Sequence, residues 1–254
     1  MTFVNIFIQT VLCPRSKDIG ISNSMKSQDI LLLFKLAAIE QQVAQELENS
    51  CPPVPYRKYP WWDWENTEID INNQLDINKE IDINNKLLYS DKRMALLASR
   101  LTIRGLAAET GISKSEVSQA LKRNYFAGLA KPDRKSGLPK ANFKALLEFV
   151  VHGLRYVFPV KPAELTRGIA TGLAAPVLQG HIMTAGELAP VWPDANGKSK
   201  GQAIAPLFKS VPFAVRKDPQ LYEYLALADA IRIGQTRERA LASEFLEKIL
   251  LRKY

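Results

Sequence analysis

Ser113, Lys114, Ser115, Ser118, Gln119, Lys122 and Arg123 crowd into one short stretch of the chain. Ser115, Ser118, Gln119, Lys122 and Arg123 follow the i, i+3, i+4, i+7, i+8 spacing that puts side chains on one face of a helix. Hydroxyl and carboxamide groups both donate and accept hydrogen bonds, so they can read base edges. Lys and Arg neutralise phosphates and release counterions. No histidine, cysteine or acid stands among these seven to activate a hydroxyl, so the chemistry they offer is recognition, not bond cleavage.

The segments around them are built to present that face. Residues 103–123 read IRGLAAETGISKSEVSQALKR and have the spacing of a helix-turn-helix. Ala107 is small enough for the first helix to pack closely on the second. Gly111 takes the turn, where a positive φ is easiest without a Cβ. Leu106, Ile112, Val117, Ala120 and Leu121 supply a small apolar core. Thr102 is placed to cap the first helix, and Ser113 with Glu116 forms an S-x-x-E capping box at the start of the second. Charge agrees with this reading. Residues 91–144 hold 12 of the 34 Lys and Arg but only 4 of the 26 Asp and Glu, which leaves 22 of each in the rest of the chain. The whole excess of +8 therefore lies in and just after the motif, the footprint of a polyanion partner.

After the motif, Ala127–Ala130 reads as a short apolar strand, residues 131–137 as a basic turn, and Leu138–Lys140 as a returning strand. Pro132 and Pro139 flank the loop, where proline weakens strand pairing. With this ribbon, residues 27–145 resemble the winged helix-turn-helix regulators of bacteria, of the broad MarR and GntR kind. The resemblance implies that the second motif helix enters the major groove of double-stranded DNA and that the wing cations, here Arg134 and Lys135, contact its backbone or minor groove.

The first helix of that unit is expected from Ser27, with apolar residues at Ile30, Leu33, Phe34, Leu36 and Ala37. A segment at about 50–90 then intervenes. It opens on the proline-rich run from Cys51 to Pro55, continues through Trp61, Trp62 and Trp64, and repeats DIN at Asp70, Asp76 and Asp82. Three short copies are too few for a solenoid, so the segment reads as a low-complexity insertion. A helix over 91–100 resumes the regular pattern. Residues 1–24 read as a poorly ordered extension ahead of Met25: the apolar run Thr2–Leu12 has no basic start and is too short to span a bilayer. Cys13 and Cys51 provide neither a disulfide framework nor metal-ligand spacing.

Residues 146–254 are long enough for a second, smaller α+β region serving dimerisation or partner binding. Asn142–Val151 reads as a helix joining the halves and Gly153–Val160 as a strand. The run from Leu165 to Gly172 reads as a flexible connection, the alternative being an anion site made by backbone N–H groups of Thr166–Gly168 and Thr171–Gly172, and residues 190–204 read as a hairpin about the Asp194–Gly197 turn. Two closing helices are marked by Asp218 with Pro219 and by Gly234 with Gln235. In the last helix the apolar positions are Leu241, Phe245, Ile249 and Leu250. His152 reads as a core or interface residue, and His181 has no Cys or second His nearby to share a metal. No nucleophile elbow, phosphate loop, Rossmann or kinase motif is present, so neither an enzyme nor a cofactor is expected.

The fold expected is mainly α with a small β component: a winged helix-turn-helix over 25–145, then an α+β region ending in helices. The function expected is a cytoplasmic, dimeric, sequence-specific DNA-binding transcription regulator. The competing expectation is an antitoxin-like module that binds a partner protein through its C-terminal half and also regulates its own operon. They differ in what the basic face binds.

Overall fold

The computed structural model describes residues 24–48, 95, 98–134, 136–181 and 188–251. The expectations for residues 1–23, the insertion with its tryptophans and DIN repeats, both cysteines and Lys135 lie outside them. Helix α1 (Ser27–Glu48) starts with the Asp29 carboxylate accepting from Lys26 N at 2.8 Å. It is buried on every side from Gln28 to Ile39, not along one stripe. Helices α2 (Ile103–Thr110) and α3 (Lys114–Phe126) form the helix-turn-helix pair. Thr102 caps α2 by accepting from Gly105 N at 3.1 Å, and Ser113 accepts from Glu116 N at 3.4 Å. Gly111 sits at φ 69° between them, and Leu106, Ile112, Val117, Ala120 and Leu121 are all buried. Only half of the expected capping box forms, because the Glu116 side chain turns to Gln28, Arg123 and Lys26 instead of to the Ser113 backbone.

A two-stranded antiparallel ribbon follows: β1 (Ala130–Pro132) and β2 (Pro139–Ala141), with Ala130 opposite Ala141 and Pro132 opposite Pro139. The first strand begins later than its apolar residues suggest, because Gly128 at φ 72° still belongs to the turn that leaves α3. The two prolines face each other at the last rung, where the ladder ends and missing N–H donors cost least.

Helix α4 (Phe143–His152) is capped by Asn142, which accepts from Ala145 N at 3.4 Å. The strand expected over 153–160 is instead the helical turn α5 (Leu154–Val157), since Val157 N and Phe158 N bond back to Gly153 O and Leu154 O. Leu154 anchors this turn in the core, while Tyr156 and Val157 stay exposed.

The region read as a flexible connection is the strand β3 (Leu165–Ala170), and it holds the second sheet together. It pairs antiparallel with β4 (Pro190–Pro193) through Gly168–Ala170 and antiparallel with β5 (Ser199–Ala203) through Leu165–Gly168. Strands β4 and β5 pair in parallel, so they close a three-stranded barrel instead of forming the expected hairpin. Glycines make the closure possible. A Cβ on Gly168 would lie 1.9 Å from Trp192 O, one on Gly201 1.9 Å from Ala189 O, and one on Gly197 2.4 Å from the Gly168 backbone. Backbones this close leave no room for any side chain.

Three helices complete the chain: α6 (Val211–Lys217), α7 (Pro219–Ile233) and α8 (Thr236–Leu250). Asp218 caps α7 by accepting from Gln220 N and Leu221 N, both at 3.1 Å, and Pro219 takes its first position. All residues of α7 from Leu221 to Arg232 except Glu223 are buried. It packs on α1, α4, α5, α6 and α8, and these contacts merge both halves of the chain into one hydrophobic core. The division expected at residue 145 thus falls inside continuous packing. Helix α8 buries Ala242, Leu246 and Leu250 most deeply, and the expected stripe residues Leu241, Phe245 and Ile249 flank that row.

Candidate nucleic-acid interface

Helix α3 is held from behind by α1 and α2, which fixes the face it turns outward. Val117, Ala120 and Leu121 point into the core. Ser113, Lys114, Ser115, Gln119 and Lys122 are exposed and Ser118 is half-buried. Six of the seven expected reading residues therefore share one accessible surface. Arg104 of α2 adds a cation that the motif spacing gave no reason to select: it shares a surface depression with Ala107, Ala108, Ile112, Ser113, Lys114 and Ser115.

Arg123 is the exception. It is 4% exposed, and its guanidinium donates two hydrogen bonds to the Asp29 carboxylate, at 2.7 and 2.8 Å. Those bonds, despite burial and with help from Glu116, hold its pKa above the ordinary value. Asn124 Nδ2 adds a bond to Asp29 O at 3.2 Å. The helical periodicity put Arg123 on the reading face, but position i+8 lies at the edge of that stripe, and Asp29 draws it inward. Arg123 locks α3 onto the start of α1 and is unavailable to a groove.

A second buried charge cluster fixes the other helix of the pair. Lys35, fully buried in α1, bonds Asp218 at 2.7 Å and Glu109 of α2 at 2.5 Å. Arg100 grips Glu109 through two bonds at 2.6 and 2.9 Å and reaches Gln42 at 3.1 Å. Burial works to raise the Glu109 pKa, but the bonds from Arg100 and Lys35 outweigh it and leave that pKa lowered. A lysine inside an apolar run of α1 gives no sign of its partners, which stand far along the sequence.

The ribbon is tied back at one point. Glu40 Oε1 accepts from Ala141 N at 2.7 Å, and Lys140 Nζ lies 3.9 Å from the other oxygen. Burial pushes the Glu40 pKa up to about 7. The tip stays in solvent: Lys131, Arg134 and Lys140 are exposed, and Asp133 holds the turn by accepting from Ser136 N at 3.0 Å. Arg134 is thus exposed at the tip of the ribbon.

The histidines stand apart from this surface. His152 is exposed at the end of α4, not buried in the core, because the apolar face of that helix runs through Leu146 and Val150. His181 is exposed beside Phe245, with ring centroids 4.8 Å apart. No group of three or more His, Cys, Asp or Glu side chains able to hold a metal occurs among the described residues. No described helix is long and apolar enough to cross a membrane. Comparison with protein-family models, with curated proteins and with solved structures finds no match in any of the three.

Proposed function

We propose that the protein is a sequence-specific transcription regulator that binds double-stranded DNA with α3 in the major groove and the β1–β2 ribbon as a wing on the adjoining backbone. One observation carries the proposal: Ser115, Ser118, Gln119 and Lys122 are presented together by a helix whose opposite side is locked into the core. A rigid helix with short polar and cationic side chains outward suits base-edge readout. The exposed cations Arg104, Lys114, Arg134 and Lys140 around it suit phosphate contacts. A two-fold operator would be bound by a homodimer.

The test is retention of the gene's own upstream DNA by the wild-type protein, compared with Gln119→Ala and Lys122→Ala. The expected result is a defined site held by the wild type, with its sequence preference relaxed in Gln119→Ala. Equal affinity of all three proteins for that site and for random duplex would remove the claim of base reading.

A further inference from the structure

We propose that the closed barrel carries a second contact for the DNA backbone, formed by Arg167 and Lys200 and joined to the reading surface through Lys217. This rests on the DNA-binding reading above. Arg167 and Lys200 are direct partners in the β3–β5 ladder, so their side chains leave the same face of the barrel, and both are exposed. Like charges directly opposite each other on neighbouring strands repel and destabilise a sheet. Among the described residues neither has an acidic or hydrogen-bonding partner for its side chain. Two adjacent cations that the fold itself disfavours make a site for a diester phosphate, which would relieve the repulsion.

The barrel is linked to the helix-turn-helix by short, direct contacts. Asp194, in the β4–β5 loop, donates its N–H to Arg167 O at 3.1 Å, and its carboxylate binds Arg216 of α6. Helix α6 in turn rests on the motif: Ser210 Oγ donates to Thr110 O at 2.5 Å. A Cβ on Gly111 would meet the Ser210 Cβ at 2.9 Å. At the other end of α6, exposed Lys217 reaches Ala108 O at 3.2 Å, with its Nζ 4.0 Å from the Phe213 ring centroid. Ala108 lines the depression shared with Arg104 and Lys114, so Lys217 stands at the rim of the reading surface although it comes from the C-terminal half. Arg104, Lys114 and Lys217 thus stand about one depression, and α6 carries the link from there through Arg216 and Asp194 to the backbone of Arg167, the ladder partner of Lys200. DNA flanking the site read by α3 would lie along this link.

The experiment is a salt titration of full-length protein on two duplexes from the upstream region, one trimmed to the protected site and one keeping its flanks. On the long duplex, log K should fall with log salt less steeply by about two units for Arg167→Gln/Lys200→Gln and by about one for Lys217→Gln, at about 0.9 per phosphate contact. On the trimmed duplex the barrel variant should match the wild type. Arg167→Lys should keep the wild-type slope, and Arg167→Gln should melt no lower than the wild type because a repulsion has been removed. A wild-type slope on the long duplex in the double variant would overturn the barrel contact while leaving α3 as the reader. An equal loss on both duplexes, or a lowered melting temperature, would assign the pair to another role. A wild type that holds neither duplex would overturn the DNA-binding reading and this inference with it.

Discussion

Arg123 and Gln119 stand four residues apart on α3, the first buried against Asp29 and the second exposed on the face we propose for recognition. Removing Arg123 leaves the buried Asp29 carboxyl with only its bond from Lys26 N, and breaking a buried pair in this way typically costs about 3–5 kcal/mol. We therefore expect Arg123→Ala to lose much of its stability in urea unfolding, with any loss of DNA binding following from the loss of folded protein. Gln119→Ala should unfold like the wild type and lose about 1–3 kcal/mol on the specific site alone, measured by titration against random duplex. Arg134→Ala should weaken binding to every sequence alike and flatten the salt dependence by about one unit. Sequence spacing identified the exposed face of α3 because helical periodicity needs only local information. It misplaced Arg123 because the carboxylate that captures it comes from Asp29, 94 residues earlier.

At the scale of elements, the glycines of the barrel and the tie between α1 and the ribbon make separate predictions. Gly168→Ala puts a methyl group where the Trp192 carbonyl already stands, so the variant should fail to form the β3–β4 pairing. Circular dichroism and solubility should report that failure, whereas Gly137→Ala, at φ 69° in the ribbon tip with nothing near its Cβ, should remain folded. Glu40 supplies a pH dependence. Its pKa is near the usual value in the unfolded chain and about 7 in the folded protein, so the folded state holds its proton more tightly. Stability from this group is then fully present below about pH 4.5 and declines as pH rises through 7, by up to about 3 kcal/mol. Glu40→Gln should flatten that decline in thermal melts taken between pH 5 and pH 8. Helices α2, α3 and α7 were legible from caps and periodicity: Thr102, Ser113 and Asp218 all cap where their side chains suggested. The barrel was not, because Gly168, Gly197 and Gly201 resemble loop glycines until the backbone each one admits is known. The strand expected over 153–160 failed for a related reason. Apolar runs that short have no period long enough to separate a strand from a turn of helix.

For the whole molecule, the decisive feature is the charge cluster that joins α1, α2 and the cap of α7. Lys35→Met leaves Glu109 and Asp218 facing each other across the joint, yet Glu109 keeps Arg100 and Asp218 keeps Gln42 and the α7 N–H groups. Asp218→Ala is harsher, since it removes the α7 cap together with one partner of a fully buried ammonium. It should cost about 3–5 kcal/mol in chemical denaturation, with both halves unfolding in one transition. A fragment ending at residue 145 would expose the faces of α1 that α7 covers, and it should not fold alone.

That joint bears on how new binding specificities could arise. In a protein whose reader is an independent domain, recombination can exchange one reader for another and keep the rest of the chain. Here the proposed reader shares its core, its buried ions and the packing at Gly111 with the C-terminal half, so a transplanted motif would arrive without its supports. Change is confined to the outer side chains, Lys114, Ser115, Ser118, Gln119 and Lys122, which can vary without disturbing what lies beneath. Diversification, or redesign in the laboratory, would proceed by substitution on one helix surface rather than by exchange of modules.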